Sequence, residues 1–332
     1  MQRTRSLRLV YSEASSQYRA FTMAGGGAEM ADEFSFVTLP DGRRLEYLRS
    51  PHAGPRHGST ALVVHAGTPN AAAGWSRLNA AAERNGLDLI AYSRPGYGQS
   101  DPHQGRRIAD AAHHTAALLD ALGIDEFVSL GISGGGPHVL ACAALLPARC
   151  RAIADVCGLA PGFRALNLGE GMSESNSVWF DAAERGIEAL APFGEMQMAA
   201  MGSLSVATMM HLAQTTMPPV DAAACTGELA QMLTMMLRRA FATGPQGYLE
   251  DSLAFVAAPG FNVADIRCPT SVWHGALDVN VPQSHSRWLL SQLPHARAHL
   301  FEQHGHLSLL HEVDDIVEEL AQLGRSGAAA HH

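Results

Sequence analysis

A chain of 332 residues can form one large α/β domain or two ordinary ones, and at that size its core needs no covalent staples. A formal net charge of −9, with no Lys/Arg block beyond a short N-terminal run, argues against a nucleic-acid or anionic-membrane surface, and no stretch reaches the roughly 18 apolar residues of a spanning helix. Cys142, Cys150, Cys157, Cys225 and Cys268 are odd in number and lack C-x-x-C or metal-type spacing, so they read as buried apolar residues of a cytoplasmic, reducing compartment; the 17 scattered histidines suggest no metal site.

Residues 1–32 carry Arg3, Arg5 and Arg8 and end in Gly25-Gly26-Gly27; lacking the apolar run of a secretory signal, they are expected to be an extension outside the fold. Residues 34–39 and 43–48 flank Asp41-Gly42, the dipeptide that best closes a hairpin, so the sheet opens with an antiparallel pair. Residues 60–65 are a continuous apolar run suited to a strand buried on both faces. Residues 88–92 read as the next strand, 107–122 as a helix ended by Gly123, and 126–130 as a strand. A helix over 137–146 stopped by Pro147 and a strand over 151–156 follow.

From about residue 162 to 247 no strand-like run occurs. Helical patterns broken by Pro192, Gly202 and Pro218-Pro219 fill this stretch, and ten of the thirteen methionines fall between Met172 and Met236. The last two strands are expected at 271–273 and 298–301, with a helix after Pro282 between them and another over 307–323. Such alternation implies a mostly parallel sheet flanked by helices. The domain reading is therefore a core of residues 33–161 and 248–323, a helical insertion over 162–247, and a C-terminal tail over 324–332.

The chemistry centres on Gly131-Ile132-Ser133-Gly134-Gly135, a G-x-S-x-G pentapeptide between a strand and a helix. A serine at the tip of such a turn is forced outward, and the flanking glycines avoid collision with neighbouring backbone. A glycine-rich connection without chemistry would look similar, so the partners decide. A serine hydroxyl needs a base, and the base needs a third group to fix its tautomer. Asp278 follows one late strand and His306 follows the last, giving the order Ser, Asp, His. His304 competes with His306, which is preferred because it follows Gly305 and precedes the last helix. Asp155 competes with Asp278 but sits within its own strand.

These ordered signals resemble the α/β-hydrolase superfamily, in particular its lid-bearing serine hydrolases, which include esterases and proline iminopeptidases. The resemblance covers roughly residues 33–323 and implies an α/β-hydrolase fold in which the insertion is a helical lid. It implies Ser133 as nucleophile, His306 as base and Asp278 as its orienting acid. It also explains His65-Ala66-Gly67-Thr68-Pro69: matched to the family's His-Gly-x-Pro segment, Thr68 supplies one oxyanion amide and Gly134 the other. Ala66 departs from the family's histidine, and Asn70 from its usual glycine. Residues 92–100 resemble the family's Asp-x-Pro-Gly-x-Gly-x-Ser segment with Ser93 in place of the acid, and Arg94 is expected to brace the loops. Met209 and Met235 are candidates for lining an apolar pocket, the alternative being that the methionines only pack lid on core.

Within the superfamily, haloalkane dehalogenases and epoxide hydrolases use an aspartate nucleophile, so a serine leaves acyl transfer to water. The expected function is a cofactor-free, metal-free serine hydrolase acting on a small, apolar carboxylic ester, lactone or thioester through an acyl-enzyme. Three alternatives stay open. One is an aminopeptidase, although proline iminopeptidases have tryptophan where this chain has Gly134. The others are a carbon–carbon bond hydrolase with the same triad and a non-catalytic ligand-binding protein of the same fold.

Overall fold

The computed structural model describes residues 34–49 and 60–329; the extension expected over 1–32 and the last residues of the expected tail, 330–332, lie outside the described residues. Eight strands form one sheet: β1 (Phe34–Thr38), β2 (Arg44–Arg49), β3 (Thr60–His65), β4 (Leu87–Tyr92), β5 (Phe127–Ile132), β6 (Cys150–Val156), β7 (Thr270–Gly275) and β8 (Arg297–Phe301). Their order is β1-β2-β4-β3-β5-β6-β7-β8; β2 pairs antiparallel with β1 and β4, and all other neighbours are parallel. The opening hairpin closes at Asp41-Gly42, where Gly42 takes φ +86, a left-handed conformation open to a residue without Cβ. This is the α/β-hydrolase fold that the sequence resembles.

Among the described residues eleven α-helices follow one another. Three precede β6 or lead into it: α1 (Ser76–Arg84), α2 (Asp110–Ala121) and α3 (Gly136–Leu145). Six lie between β6 and β7: α4 (Glu174–Glu184), α5 (Ile187–Gly202), α6 (Val206–Thr216), α7 (Pro219–Ala224), α8 (Gly227–Ala240) and α9 (Gln246–Val256). The last two are α10 (Ser284–Gln292) and α11 (Val313–Ala329). None is long and apolar enough to cross a membrane.

The central strands are mainly apolar because helices cover both faces, with His65, Asp88, Ser129 and Asp155 as buried polar exceptions. Leu62 and Val64 of β3 pack with residues of α1 and α11, whereas Ala61 and Val63 pack with residues of α2, α3 and α10. Leu118 of α2 is fully buried in the second of these cores, and its truncation to alanine should cost on the order of 2–5 kcal/mol.

Two of the expected boundaries fall inside helices. Residue 248 does not open the second part of the core, because α9 starts at Gln246 directly after Pro245; Gly247 lies in its first turn and ends nothing. Nor does the chain leave the fold at residue 324. A Cβ on Gly324 would lie 2.6 Å from Val128 Cγ1, so glycine there lets α11 cross β5 closely, and the helix continues to Ala329. Helix α1 had no capping signal to announce it, since Trp75 occupies its N-cap without a side-chain bond.

Candidate active site

β5 runs into a single 3-10 turn, Ser133–Gly135, and then into α3. Ser133 takes φ +55, a conformation that costs a non-glycine residue on the order of 1–3 kcal/mol and must be held by its surroundings. The surroundings are close. A Cβ on Gly131 would lie 2.6 Å from Val139 Cγ1, and one on Gly135 would lie 1.9 Å from the carbonyl oxygen of His65. Both glycines are therefore obligatory, and together they turn Ser133 outward. His138 of α3, fully buried, donates from Nδ1 to the Gly134 carbonyl at 2.8 Å and fixes the peptide after the serine. Burial first, then the Arg94 charge, hold this imidazole neutral, well below the usual histidine range.

His306 follows β8, and its Nδ1 lies 2.6 Å from Asp278 Oδ2. Asp278, in the turn after β7, is 4% exposed; its Oδ1 accepts from the amides of Asn280 at 2.8 Å and Val281 at 2.9 Å. Burial opposes its charge, but His306 and His274 overcome that opposition and hold the carboxyl below the ordinary range. An ionised carboxylate only accepts, so Nδ1 carries the proton and Nε2 of His306 is left as a base. Burial likewise opposes charge on His306, yet Asp278, with a contribution from Asp221, raises its pKa above 6.5.

The competing residues are placed elsewhere. His304 pairs its Nε2 with Glu312 Oε1 at 3.4 Å. Asp155 lies within β6, 1% exposed, and burial pushes its carboxyl up to about 7. A second histidine that sequence reading missed, His274, approaches Asp278 Oδ2 at 3.4 Å. Its Nε2 lies 2.7 Å from the Val281 carbonyl and its Nδ1 2.5 Å from Ser286 Oγ, so the ring is locked behind the acid. The only sequence signal for it was its spacing, four residues before Asp278.

The loop after β3 brings Thr68 against the elbow: a Cβ on Gly134 would lie 2.6 Å from Thr68 Oγ1. Arg94, 3% exposed, braces this loop by donating to the carbonyls of Ala66 at 2.6 Å and Gly67 at 3.0 Å and to Thr68 Oγ1 at 2.8 Å. The guanidinium is paired with Asp251 of α9 at 2.6 Å, and Asp251 also takes Thr68 Oγ1 at 2.6 Å, Tyr97 OH at 2.9 Å and the Arg106 guanidinium. Asp251 was not anticipated, because its partners come from segments some 150 residues earlier in the chain. Where the family motif has an acid and this chain has Ser93, the acid comes from the neighbouring strand: Ser93 Oγ donates to Glu46 of β2 at 2.7 Å, and Gln99 N at 3.2 Å.

Ser133, Gly134, Thr68 and His306 line one cavity of about 250 Å³. Its opposite wall comes from the helices between β6 and β7, with Trp179, Phe180, Met209, Leu233, Leu237 and Phe255. Met209 thus lines the cavity. Met235 does not: it is 38% exposed and lies outside the cavity lining, because α8 directs Met232 and Leu233 inward and Met235 falls on its outer side. A larger, more open hollow of about 450 Å³ lies beside Asp278, but neither Ser133 nor His306 lines it.

A thiol also touches the site. The ligand atoms of Cys157, Asp278 and His306 lie within 4.8 Å of one another, a set that could in principle hold a soft metal. The fit is poor, since the Asp278–His306 hydrogen bond already occupies two of the three and burial keeps the thiol protonated, well above its usual pKa.

The family model described as the alpha/beta hydrolase fold matches residues 60–313, most of the chain. The chain belongs to the α/β-hydrolase fold family. Among curated relatives of this α/β-hydrolase, the uncharacterized hydrolase YcgS of Bacillus subtilis is 33% identical over 109 residues, which span 33% of this chain and only 36% of that protein. The 2-hydroxy-6-oxononadienedioate/2-hydroxy-6-oxononatrienedioate hydrolase of Cupriavidus pinatubonensis is 27% identical over 286 residues, 82% of this chain and 88% of its own. Among solved structures, the enol-lactonase of Burkholderia xenovorans LB400 superposes with a TM-score of 0.61 at 20% identity, covering 87% of this chain and 99% of that one. At that identity the likeness is one of fold.

Proposed function

We propose that this α/β-hydrolase is a serine hydrolase that cleaves a neutral carboxylic ester, lactone or thioester of a small molecule through an acyl-enzyme. The observation that carries the reading is the elbow serine at φ +55 sharing a cavity with an imidazole whose Nδ1 is tied to a buried carboxylate at 2.6 Å. Ser133 Oγ attacks the substrate carbonyl as its proton passes to His306 Nε2; the leaving group takes that proton when the tetrahedral intermediate collapses. Water then enters, gives a proton to the same nitrogen and attacks the acyl-serine; as that second tetrahedral intermediate collapses, the acyl–Oγ bond breaks, Ser133 Oγ takes the proton back from His306 and the carboxylic acid leaves. The amides of Thr68 and Gly134 bind the oxyanion, each such donor contributing on the order of 3 kcal/mol. The helices between β6 and β7 act as the lid that shields the site from bulk solvent while admitting the hydrolytic water.

A carbon–carbon bond hydrolase is the second reading, favoured by the name of the Cupriavidus relative. The substrate in that name is a dicarboxylate. Among the described residues lining the cavity there is no arginine or lysine; the polar groups besides Ser133, His306 and Thr68 are the carboxamides of Asn70, Asn176 and Asn280. Bringing two carboxylates into such a cavity would cost several kcal/mol each without a cationic partner, so the lining favours an uncharged substrate. Labelling by a fluorophosphonate tests the activated serine, and a panel of p-nitrophenyl esters and lactones beside a ring-cleavage dicarboxylate tests the substrate class. Turnover of the dicarboxylate alone would reverse the assignment.

A further inference from the structure

We propose that Asp221 of α7 is a positioning residue for the base, holding in register the backbone of the loop that bears His306. This rests on the serine-hydrolase reading above. Asp221 is 1% exposed and reaches across from the helical insertion to a segment 85 residues further along the chain. Its Oδ2 accepts from the His306 amide at 2.9 Å. Its Oδ1 accepts from the amides of Leu307 at 3.0 Å and Ser308 at 2.9 Å and from Ser308 Oγ at 3.0 Å. All four partners are donors, which suits a carboxylate and no neutral isostere, since an amide would turn an N–H toward one of them.

The approach is built into the loop. A Cβ on Gly305 would lie 2.5 Å from Asp221 Oδ2, so a glycine before the histidine is what admits the carboxylate, and Ser308 Oγ in turn accepts from Gly305 N at 2.7 Å. Three consecutive amides, starting with that of His306 itself, are thereby pinned from the lid side. Asp278 fixes the imidazole ring through Nδ1, and Asp221 fixes the main chain from which the ring hangs. A lid that only covered the cavity would have no need of this contact. Here the insertion completes the catalytic geometry, so displacement of α7 would release the base as well as open the cavity.

The charge of Asp221 also acts on the ring. The titratable groups facing His306 are Asp278 from the turn after β7, with His274 behind it, Asp221 from α7 and the Cys157 thiol after β6. Asp278 raises the histidine most and Asp221 adds to it. Removing the second charge therefore moves the pH at which His306 becomes a base downward.

The test compares the wild-type protein with Asp221→Asn, each checked for folding by circular dichroism. Fluorophosphonate labelling rates are measured across pH, with kcat and KM for the best p-nitrophenyl ester. Misplacement of the base should lower kcat and the labelling rate roughly ten- to a hundredfold, with KM changing far less, and shift the rising limb of the pH profile to lower pH. Equal rates and an unmoved limb in folded Asp221→Asn would overturn the proposal. Should that variant not fold, Ser308→Ala decides: it strips one donor from the carboxylate and one acceptor from Gly305, and a smaller loss of kcat in the same direction is expected, no loss overturning it. Absence of labelling in the wild-type protein would remove the serine-hydrolase reading and this proposal with it, whereas wild-type labelling matched by both variants removes this proposal alone.

Discussion

The sheet and the helical insertion contribute to the site by different physics. The sheet side supplies Ser133, Thr68, Asp278 and His306 from loops next to strands whose burial is almost wholly apolar, so their positions follow from hydrophobic registration and obligatory glycines. The insertion supplies apolar cavity walls and two deeply buried carboxylates, each of which holds one of those loops. Asp251 grips the loop after β3 through the Arg94 guanidinium and the Thr68 hydroxyl; Asp221 grips the histidine loop through backbone amides and the Ser308 hydroxyl. Under the proposed serine-hydrolase reading, the difference teaches that the sheet fixes where the reacting atoms are, whereas the insertion fixes how firmly they are held. Removing a sheet residue should abolish chemistry, and removing an insertion residue should degrade it.

The largest effect expected on the sheet side is that of Ser133→Ala, which should abolish probe labelling and hydrolysis while the melting temperature stays near that of the wild type. Labelling that persists in the variant would move the nucleophile elsewhere. Asp278→Asn should follow with a loss of about 10⁴ in kcat, the scale for a triad acid whose replacement leaves the histidine in the wrong tautomer. On the insertion side the corresponding experiment is Asp251→Asn, which leaves two buried guanidinium groups facing each other. Loss of one partner from such a cluster costs on the order of 3–5 kcal/mol of stability, to be read from denaturant unfolding. A variant as stable as the wild type would deny the insertion its bracing role.

Titration separates the two regions further. Hydrolysis needs neutral His306, and its neighbours raise it above 6.5, so kcat/KM should rise with pH through a value higher than that of a free histidine and then level off. A limb at or below 6.5 would contradict the pairing with Asp278. Asp155, inside the sheet, acts on stability instead. Its carboxyl keeps its proton in the fold up to about pH 7, whereas in the unfolded chain it loses it near 3.8. Between those values the folded state binds the extra proton, so this contribution is complete below about pH 4 and is lost as pH rises toward 7, amounting to roughly 4 kcal/mol. Asp155→Asn should flatten that part of the stability profile, measured as melting temperature against pH; an unchanged slope would place the titration elsewhere.

The sheet side was the legible one. Period, apolar runs and the glycine-flanked turn are local in sequence and located every strand and the elbow, and the order Ser, Asp, His picked out Ser133, Asp278 and His306, of which Ser133 and His306 line one cavity and Asp278 bonds His306. The insertion was legible only as helical and methionine-rich. Asp221 and Asp251 gave no local signal: Asp221 is the lone acid of a short helix, Asp251 stands beside Glu250 in α9, and the meaning of each lies in partners 85 and about 150 residues away. Glu46 was hidden for the same reason, since the acid missing at Ser93 is supplied from an adjacent strand. The continuation of α11 through Gly324 was missed because a glycine that ends a helix and one that lets it approach a strand look alike in sequence.

The smallest effect expected lies within the insertion and separates wall from surface. Met209 is 5% exposed and lines the cavity, whereas Met235 is 38% exposed outside it, although both are methionines of insertion helices. If the cavity takes the acyl group, each methylene buried there should strengthen transition-state binding by up to about 0.8 kcal/mol until the space of about 250 Å³ is filled. Plotting kcat/KM against acyl chain length should therefore give a rise and a cut-off. Met209→Ala enlarges the wall and should move the cut-off to longer chains, while Met235→Ala should leave it unchanged. A flat dependence on chain length, or equal shifts in the two variants, would mean that Met209 packs lid against core without touching the substrate, and the acyl group would then have to occupy the side of the cavity formed by Trp179, Phe180 and Phe255.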